Sequence, residues 1–456
     1  LAKKLVEFCI SWLENHPEDH DKVEFNVIPT CYDLDFDRWT KRFEFSGIFN
    51  NDEILEIKEC FRSLTFNAIL RGDTDLQKVN SLDNRFYKLK KSNINKLDKV
   101  FALLDDAKVF GTLPFAHLAR SAFISVSLLN SAVANSIISE KAREDFLYSI
   151  RTVSHDLTND AQDCSKGKLD WSEFVERYGH LRPGTYDILS HSYKNDPERY
   201  LRPLLNQSSN FSQDSDLNIG KIWKSSKKQF MKALEKVSLP FDEELVEGFL
   251  RSSIEGREYA KFIFSRNLSL ALDLLGEWAE EQGANIEFLS NISITDIRNI
   301  QSGVVNPSDV RNWLCEKASL SSSQNPLVES IELPPLICNS NAFSFFEYPS
   351  TQPNFIGSSR VIARVINLDK EELINSNLEN SIVMIPQADP GYDWLFGRQI
   401  AGLITKFGGA NSHMAIRAAE FNLPAALGIG ETQYRVLAQS FELELDPANK
   451  MIRAIG

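Results

Sequence analysis

The sequence predicts an α + α/β protein, with a mostly helical N-terminal and central domain followed by a smaller C-terminal α/β domain. Three observations carry this. Apolar residues recur at helical spacing almost without a break from 51 to 318. Between 319 and 358 the composition turns to Ser, Asn, Pro and Gln, as in SSSQNP and YPSTQPNF. After that stretch the apolar spacing shortens, and strand-like runs alternate with helical ones. The expected boundaries are 1–320 for the helical domain, 321–358 for a linker and 359–456 for the α/β domain.

The first helix is read over 1–15, from Leu5, Phe8, Cys9, Trp12 and Leu13. Residues 22–36 differ. Val23, Phe25, Val27 and Tyr32 around Pro29 suggest short strands or an extended segment. Helices follow at 51–64, 94–104, 114–133, 140–155, 170–178, 221–237, 242–252 and 258–282, the last stopped by Gly283. The helix at 114–133 is apolar nearly all round, so it is expected to be buried, and Arg120 within it must be paired or face a polar cleft. In the C-terminal part, strands are expected at 361–366, 381–385, 400–406, 425–427, 441–445 and 451–455. Helices are expected at 392–398, 412–420 and 432–440.

Composition narrows the function. The 456 residues are 43% hydrophobic and 25% charged, which suits an ordinary globular chain. Fifty Lys and Arg against 63 Asp and Glu leave a net charge of −13, which argues against a general nucleic-acid binder. No stretch reads as a membrane span, and Lys3, Lys4, Glu7 and Glu14 interrupt any signal-peptide pattern. The six cysteines are scattered without a C-x-x-C pair, so neither a zinc site nor a disulfide framework is expected, and the cytoplasm is the natural compartment. Leu1 falls inside a helical pattern, so the chain reads as part of a longer protein.

The most informative segment is 400–430. A buried strand ends near Thr405, Gly408 and Gly409 make a turn, Ser412 is a good N-cap, and His413 falls in the first turn of the helix that follows. Glycines let the backbone approach an anion. The first-turn N–H groups and the helix dipole favour negative charge at the same place. An imidazole there can attack phosphorus. A His that merely caps or packs is the competing reading.

The string GGANSHMAIRAAEFNLPAALG resembles the phosphohistidine swivelling domain of the phosphoenolpyruvate-utilising enzymes. Gly408, Gly409, Ser412, His413, Ala415, Glu420, Pro424, Ala425 and Gly428 fall on the family pattern in register. The resemblance implies a swivelling β/β/α domain in which His413 is the catalytic phosphoryl carrier. It also implies phosphate contacts from Thr405, Gly408, Gly409, Asn411 and Ser412. Two departures bear on those contacts: Asn411 stands where the family has Thr, and Ala419 where it has Arg, with Arg417 two residues earlier.

A second stretch, YGHLRPGTYD at 178–187, is similar to the central region of rifampicin phosphotransferases, with Leu181 inserted and Thr185 where Glu is common. It offers His180, Arg182 and Asp187 as acceptor-side candidates. The segments beginning at His20 and at Leu113, the latter with His117 and Arg120, look similar to the L-glutamine kinase branch. Glu24 is an isolated carboxylate that could bind a metal, though such a group is more often simply solvated, and no metal site is assigned.

In that family an ATP-grasp domain binds ATP with Mg²⁺, and the carrier His shuttles phosphoryl to an acceptor while AMP and phosphate leave. The chain shows no Gly-rich loop with a following Lys, so the resemblance implies an ATP-binding domain upstream in the same polypeptide. ATP and Mg²⁺ are then cofactors of the full-length enzyme, with none expected on this chain alone. The favoured acceptor is a small molecule, L-glutamine, at its side-chain amide. The alternatives are a pyruvate/water dikinase-like or antibiotic phosphotransferase, or a non-catalytic scaffold. The 321–358 linker would serve as hinge. Neither nucleic acid nor membrane is an expected partner.

Overall fold

The helix Glu243–Glu281 is the beam on which the helical part is assembled. Asp242 caps it by accepting from the Leu245 amide, Glu243 and Glu244 suit its positive end, and Gly283 (φ +71°) turns the chain away beyond its C-terminus. The computed structural model describes residues 1–456 apart from 21, 72–73, 208–219, 330, 332, 334–335, 344–352, 369–376, 410–411 and 456.

The two helices expected at 242–252 and 258–282 are thus one, 39 residues long. The apparent break comes from Ser252, Ser253 and Gly256, poor helix formers that packing here requires. A Cβ on Gly256 would sit 3.2 Å from Leu118 Cδ2, and the Ser253 hydroxyl is 2.8 Å from that of Ser125, so the helix Leu113–Ala134 comes in close.

The helices Thr74–Lys91, Lys96–Asp106 and Leu113–Ala134 flank the beam. A π-helical turn, Ala107–Thr112, joins the last two into one run. By length and composition Lys96–Ala134 passes as a membrane span, which the sequence reading had excluded, and 44% of its most apolar window is buried inside the fold. Ile124, Leu128 and Leu129 share a core with Val246 and Leu250 of the beam, and Phe43 joins them.

The segment expected to be extended, 22–36, begins instead as a π-helical turn, Val23–Val27, and becomes extended only at Ile28. Its β-forming residues have no strand to pair with, because among the described residues the first strand is Asn354–Ile356. Backbone donors must find partners somewhere. Here they close a turn, and the Arg42 guanidinium donates to the Asn26 carbonyl.

The C-terminal part is a seven-stranded sheet: β1 Asn354–Ile356, β2 Val361–Asn367, β3 Ile382–Gln387, β4 Gly402–Phe407, β5 Ala425–Leu427, β6 Glu442–Asp446 and β7 Met451–Ala454. The spatial order is β1-β5-β4-β3-β2-β6-β7, with β2 to β5 parallel and the flanking strands antiparallel. A parallel centre needs cover on both faces. Ile382, Met384 and Ile404 pack under Tyr434 and Leu437. Val383, Ile385 and Leu403 pack under Phe396 and Met414, and this second core runs on into Leu157, Tyr200, Leu201 and Leu204 of the helical part. The two parts therefore share one apolar core.

The expected linker, 321–358, is not a single connector. The helix Val310–Glu329 runs into it, and β1 near its end pairs antiparallel with β5. Composition misled because Ser and Asn lower helix propensity only modestly, and surroundings override that.

Candidate functional site

His413 opens the helix His413–Glu420, and Ser412 caps it, accepting from the Ala415 amide at 3.3 Å. The strand–turn–helix expected around it is present: β4, then Gly408, then the capped helix. Gly408 (φ +142°) is required sterically, since a Cβ there would lie 2.5 Å from Ala388 Cβ. Its carbonyl approaches Gly428, where a Cβ would sit 2.4 Å from that oxygen.

The ring of His413 is 9% exposed and held at both nitrogens. Nε2 lies 2.8 Å from Asp393 Oδ1, and Nδ1 lies 3.2 Å from Glu258 Oε2. The Ser154 hydroxyl is 3.4 Å from Nε2 and 3.5 Å from Nδ1. Two carboxylates at two ring nitrogens make both nitrogens donors, which is the imidazolium state. Burial alone would lower the ring's pKa, but the Asp393 charge and hydrogen bond, then those of Glu258, raise it to about 9. Burial pushes both carboxyls up, and the imidazolium more than reverses that, so Glu258 and Asp393 sit below their ordinary values.

The surrounding charges come from both parts. Asp393 lies in the 3-10 segment Pro390–Arg398, which Asp389 caps through the Gly391 amide at 2.9 Å. Arg417, one helical turn beyond His413 and buried, places Nε 3.4 Å from the same Asp393 oxygen. Its Nη1 donates to Glu420 (2.8 Å) and Thr158 (3.2 Å). Its guanidinium carbon lies 4.7 Å from the Phe421 ring centroid. From the beam, Arg257 Nε is 3.5 Å from Glu258 Oε1, and Lys261 Nζ is 3.6 Å from Asp389 Oδ2.

Two spaces adjoin this cluster. A cavity of about 30 Å³ touches His413, Asp393, Glu258, Lys261, Leu181 and Thr185. A cleft of about 1840 Å³ touches Gly408, Gly409, Ser412, Lys406 and Arg257, with His20, Glu24, Arg38 and Asp33 on its far wall. Burial raises the Asp33 carboxyl to about 6 although Arg38 pulls it down. The glycine turn and the imidazole, expected to converge on one phosphoryl group, open onto different spaces in this arrangement.

The structure places the other candidates as follows. Thr405 is buried and its hydroxyl is spent, donating to Phe407 O at 3.0 Å and accepting from Gly428 N at 3.1 Å, so it stitches β4 to β5 rather than facing a phosphate. Asn411 lies outside the described residues. His180 is core: Nε2 donates to Phe262 O at 3.1 Å, and burial lowers its pKa to about 3. The buried Arg182 braces its loop against the beam, donating to Asp273 (2.8 Å), the Ser269 hydroxyl (3.0 Å) and Ser190 O (2.9 Å). Asp187 is exposed and accepts from the Leu189 amide, a local turn. His117 pairs with Asp75 at 3.1 Å, and Arg71 Nη2 is 3.2 Å from the same ring nitrogen. Arg120 is exposed, because its helix buries one face and not its whole circumference.

None of these five acceptor-side candidates lines the His413 cavity. The loop of His180, Arg182 and Asp187 does reach the site, but through Leu181, Thr185 and its backbone. Thr185 donates to Asp389 at 2.6 Å, and Tyr193 donates to Gly391 O at 2.7 Å. A Cβ on Gly391 would fall 1.7 Å from the Arg182 carbonyl oxygen.

Residues 378–449, from just before β3 to just past β6, match the family model of the PEP-utilising enzyme mobile domain. That stretch carries Asp393, His413 and Arg417, while Glu258, Arg257 and Lys261 belong to the helical body. The match covers the C-terminal part alone. The chain as a whole has no match among curated proteins.

The sequence reading missed Glu258, Asp393, Lys261 and Arg257. Glu258 was hidden as the first residue of an expected helix, where an acidic side chain suits the dipole. Once 242–282 is one helix, Glu258 is a mid-helix carboxylate on a buried face, and that placement was the available signal.

Proposed function

We propose that the chain comprises the acceptor-side body and the phosphohistidine carrier of a phosphotransferase, with His413 as the carrier. The observation that supports this best is the imidazole at the first turn of a helix, after a sterically required glycine turn, within a stretch matching a PEP-utilising enzyme mobile domain. A ring nitrogen, once deprotonated, attacks the donor phosphorus. An N–P bond forms and the donor's O–P bond breaks. On delivery the acceptor's nucleophilic atom attacks phosphorus, the N–P bond breaks, and the acceptor's proton passes to a carboxylate. Asp393, in the same matched stretch as His413, is the carboxylate that stays at the ring.

The donor in this reading is ATP, bound with Mg²⁺ on an ATP-grasp domain of the full-length protein. Among the described residues no group of three or more His, Cys, Asp or Glu side chains is placed to hold a metal ion, and the carboxylates at His413 are spent on the imidazole. The favoured acceptor is the side-chain amide of L-glutamine, with pyruvate, water or an antibiotic hydroxyl as alternatives.

An inert scaffold is the second reading, favoured by a ring held at both nitrogens beside a cavity of about 30 Å³. Mass spectrometry separates the two. With ATP and an ATP-grasp domain supplied, the carrier reading expects an acid-labile phosphoryl adduct that His413→Asn abolishes. No adduct under any of these conditions leaves the scaffold. AMP release with glutamine but not pyruvate supports the favoured acceptor, and the reverse overturns it.

A further inference from the structure

His413 is held by one carboxylate that travels with it and one that does not. Asp393 lies on the mobile domain, and Glu258 on the body helix Glu243–Glu281. We propose that Glu258 is a positioning residue that reads the load on the carrier: it holds His413 docked while the ring carries a proton and rejects the ring once it carries a phosphoryl group. This rests on the carrier reading above.

The charge balance supports it. The charged groups at the ring and in the ion pairs around it are Glu258, Arg257 and Lys261 from the body helix, Asp389 and Asp393 from the segment 389–398, and Arg417 and Glu420 from its own helix. The helix Val153–Ser165 contributes Ser154, which is uncharged. The loop after Tyr178 contributes Leu181 and Thr185, and the Tyr178 hydroxyl is donated to Asp160. This cluster therefore sets four carboxylates against three cations, and the imidazolium closes the balance. A phosphoryl dianion in its place sets like charges within hydrogen-bond distance of Glu258 and Asp393 in a water-poor site, where repulsion is poorly screened.

Space points the same way. A cavity of about 30 Å³ has room for a water or two, and a phosphoryl group needs more. Arg257 answers the buried Glu258 and Lys261 the half-buried Asp389, so either meets a phosphate only by giving up its own carboxylate. The arrangement is the stowed, unloaded carrier. After delivery, protonation of the ring draws it back to Glu258.

The test loads the chain chemically with phosphoramidate. A ring nitrogen attacks its phosphorus, the reagent's P–N bond breaks, and ammonia leaves with the ring proton. Amide hydrogen exchange over 153–165 and 413–420 reads docking, and an NMR titration reads the ring. Three results are expected. In the unmodified chain, loading lowers protection of both helices. Glu258→Gln lowers it at pH 7 without loading. In Glu258→Gln the ring also titrates at least one pH unit lower, so it loads about tenfold faster near neutrality. Glu258→Asp, which keeps the charge, retains docking and controls for misfolding. Unchanged protection on loading, or a Glu258→Gln chain that matches the original in protection and ring titration, overturns the proposal while leaving the carrier intact. No adduct at His413 in either chain overturns the carrier reading itself.

Discussion

The cavity at His413 holds about 30 Å³, and the cleft beyond Gly408 and Gly409 about 1840 Å³. The first is lined by His413, Asp393, Glu258 and Lys261 among apolar side chains such as Leu157 and Phe262. The second is bordered by the glycine turn and by Ser412, the cap of the same helix. A nucleophile needs an unprotonated nitrogen, and the phosphoryl group it receives needs room and donors. On the proposed carrier reading, the nucleophile sits in the first space and the room lies in the second. On that reading, chemistry at His413 requires the ring to leave Glu258, and so rests on motion as much as on geometry. The apolar core shared by Trp394, Phe396 and Met414 with Leu201 and Leu204 sets the cost of that motion.

The sharpest way to break this contrast is to empty the small cavity of its charge. Asp393 is buried and serves both His413 and Arg417. Asp393→Asn leaves two cationic groups short of a partner and should cost roughly 3–5 kcal/mol in denaturant unfolding. A cost below about 1 kcal/mol would show that the cluster does not hold the two parts together.

Acidity offers a gentler probe. The ring's pKa rises from 6.5 to about 9 on folding, so its contribution is complete below pH 6.5 and is lost as pH climbs through about 9. The lowered Glu258 and Asp393 act at the other end, losing their contribution only in acid. Between pH 6.5 and 10 the chain should lose about 3 kcal/mol more than His413→Asn. Parallel stability curves for the two proteins would show that the ring is not charged in the folded state.

Local signals carried much of this. Short apolar runs marked β2 to β7, and the parallel centre is buried on both faces, so β3 and β4 read as nearly unbroken apolar segments. Ser412 and His413 were legible because a cap and its helix are neighbours in sequence. Partners were not. Glu258 stands 155 residues from His413 and Ser154 stands 259 away, and no periodicity reports such a meeting. Arg182 looked like a ligand because its loop has turn chemistry and a cation. Its partners on the beam, Ser269 and Asp273, are out of local view. The segment 22–36 misled for a related reason: β propensity states what a strand would tolerate, and a strand exists only where a neighbour does.

The smallest expected effect tests the boundary of the site. Arg120 was expected to be a buried cation, in which case Arg120→Ala would have unbalanced a cleft. It is exposed, on a helix that buries Leu118, Ala122 and Leu129 on its other side. Cutting an exposed side chain back to Ala, the best helix former, changes stability by no more than about 0.5 kcal/mol. It should leave the His413 titration where it is, since long-range charge is screened over about 10 Å in ordinary salt. A shift of the ring's titration in Arg120→Ala would mean that this face of the helical body couples to the carrier, and the site would then extend beyond the cluster around Glu258 and Asp393.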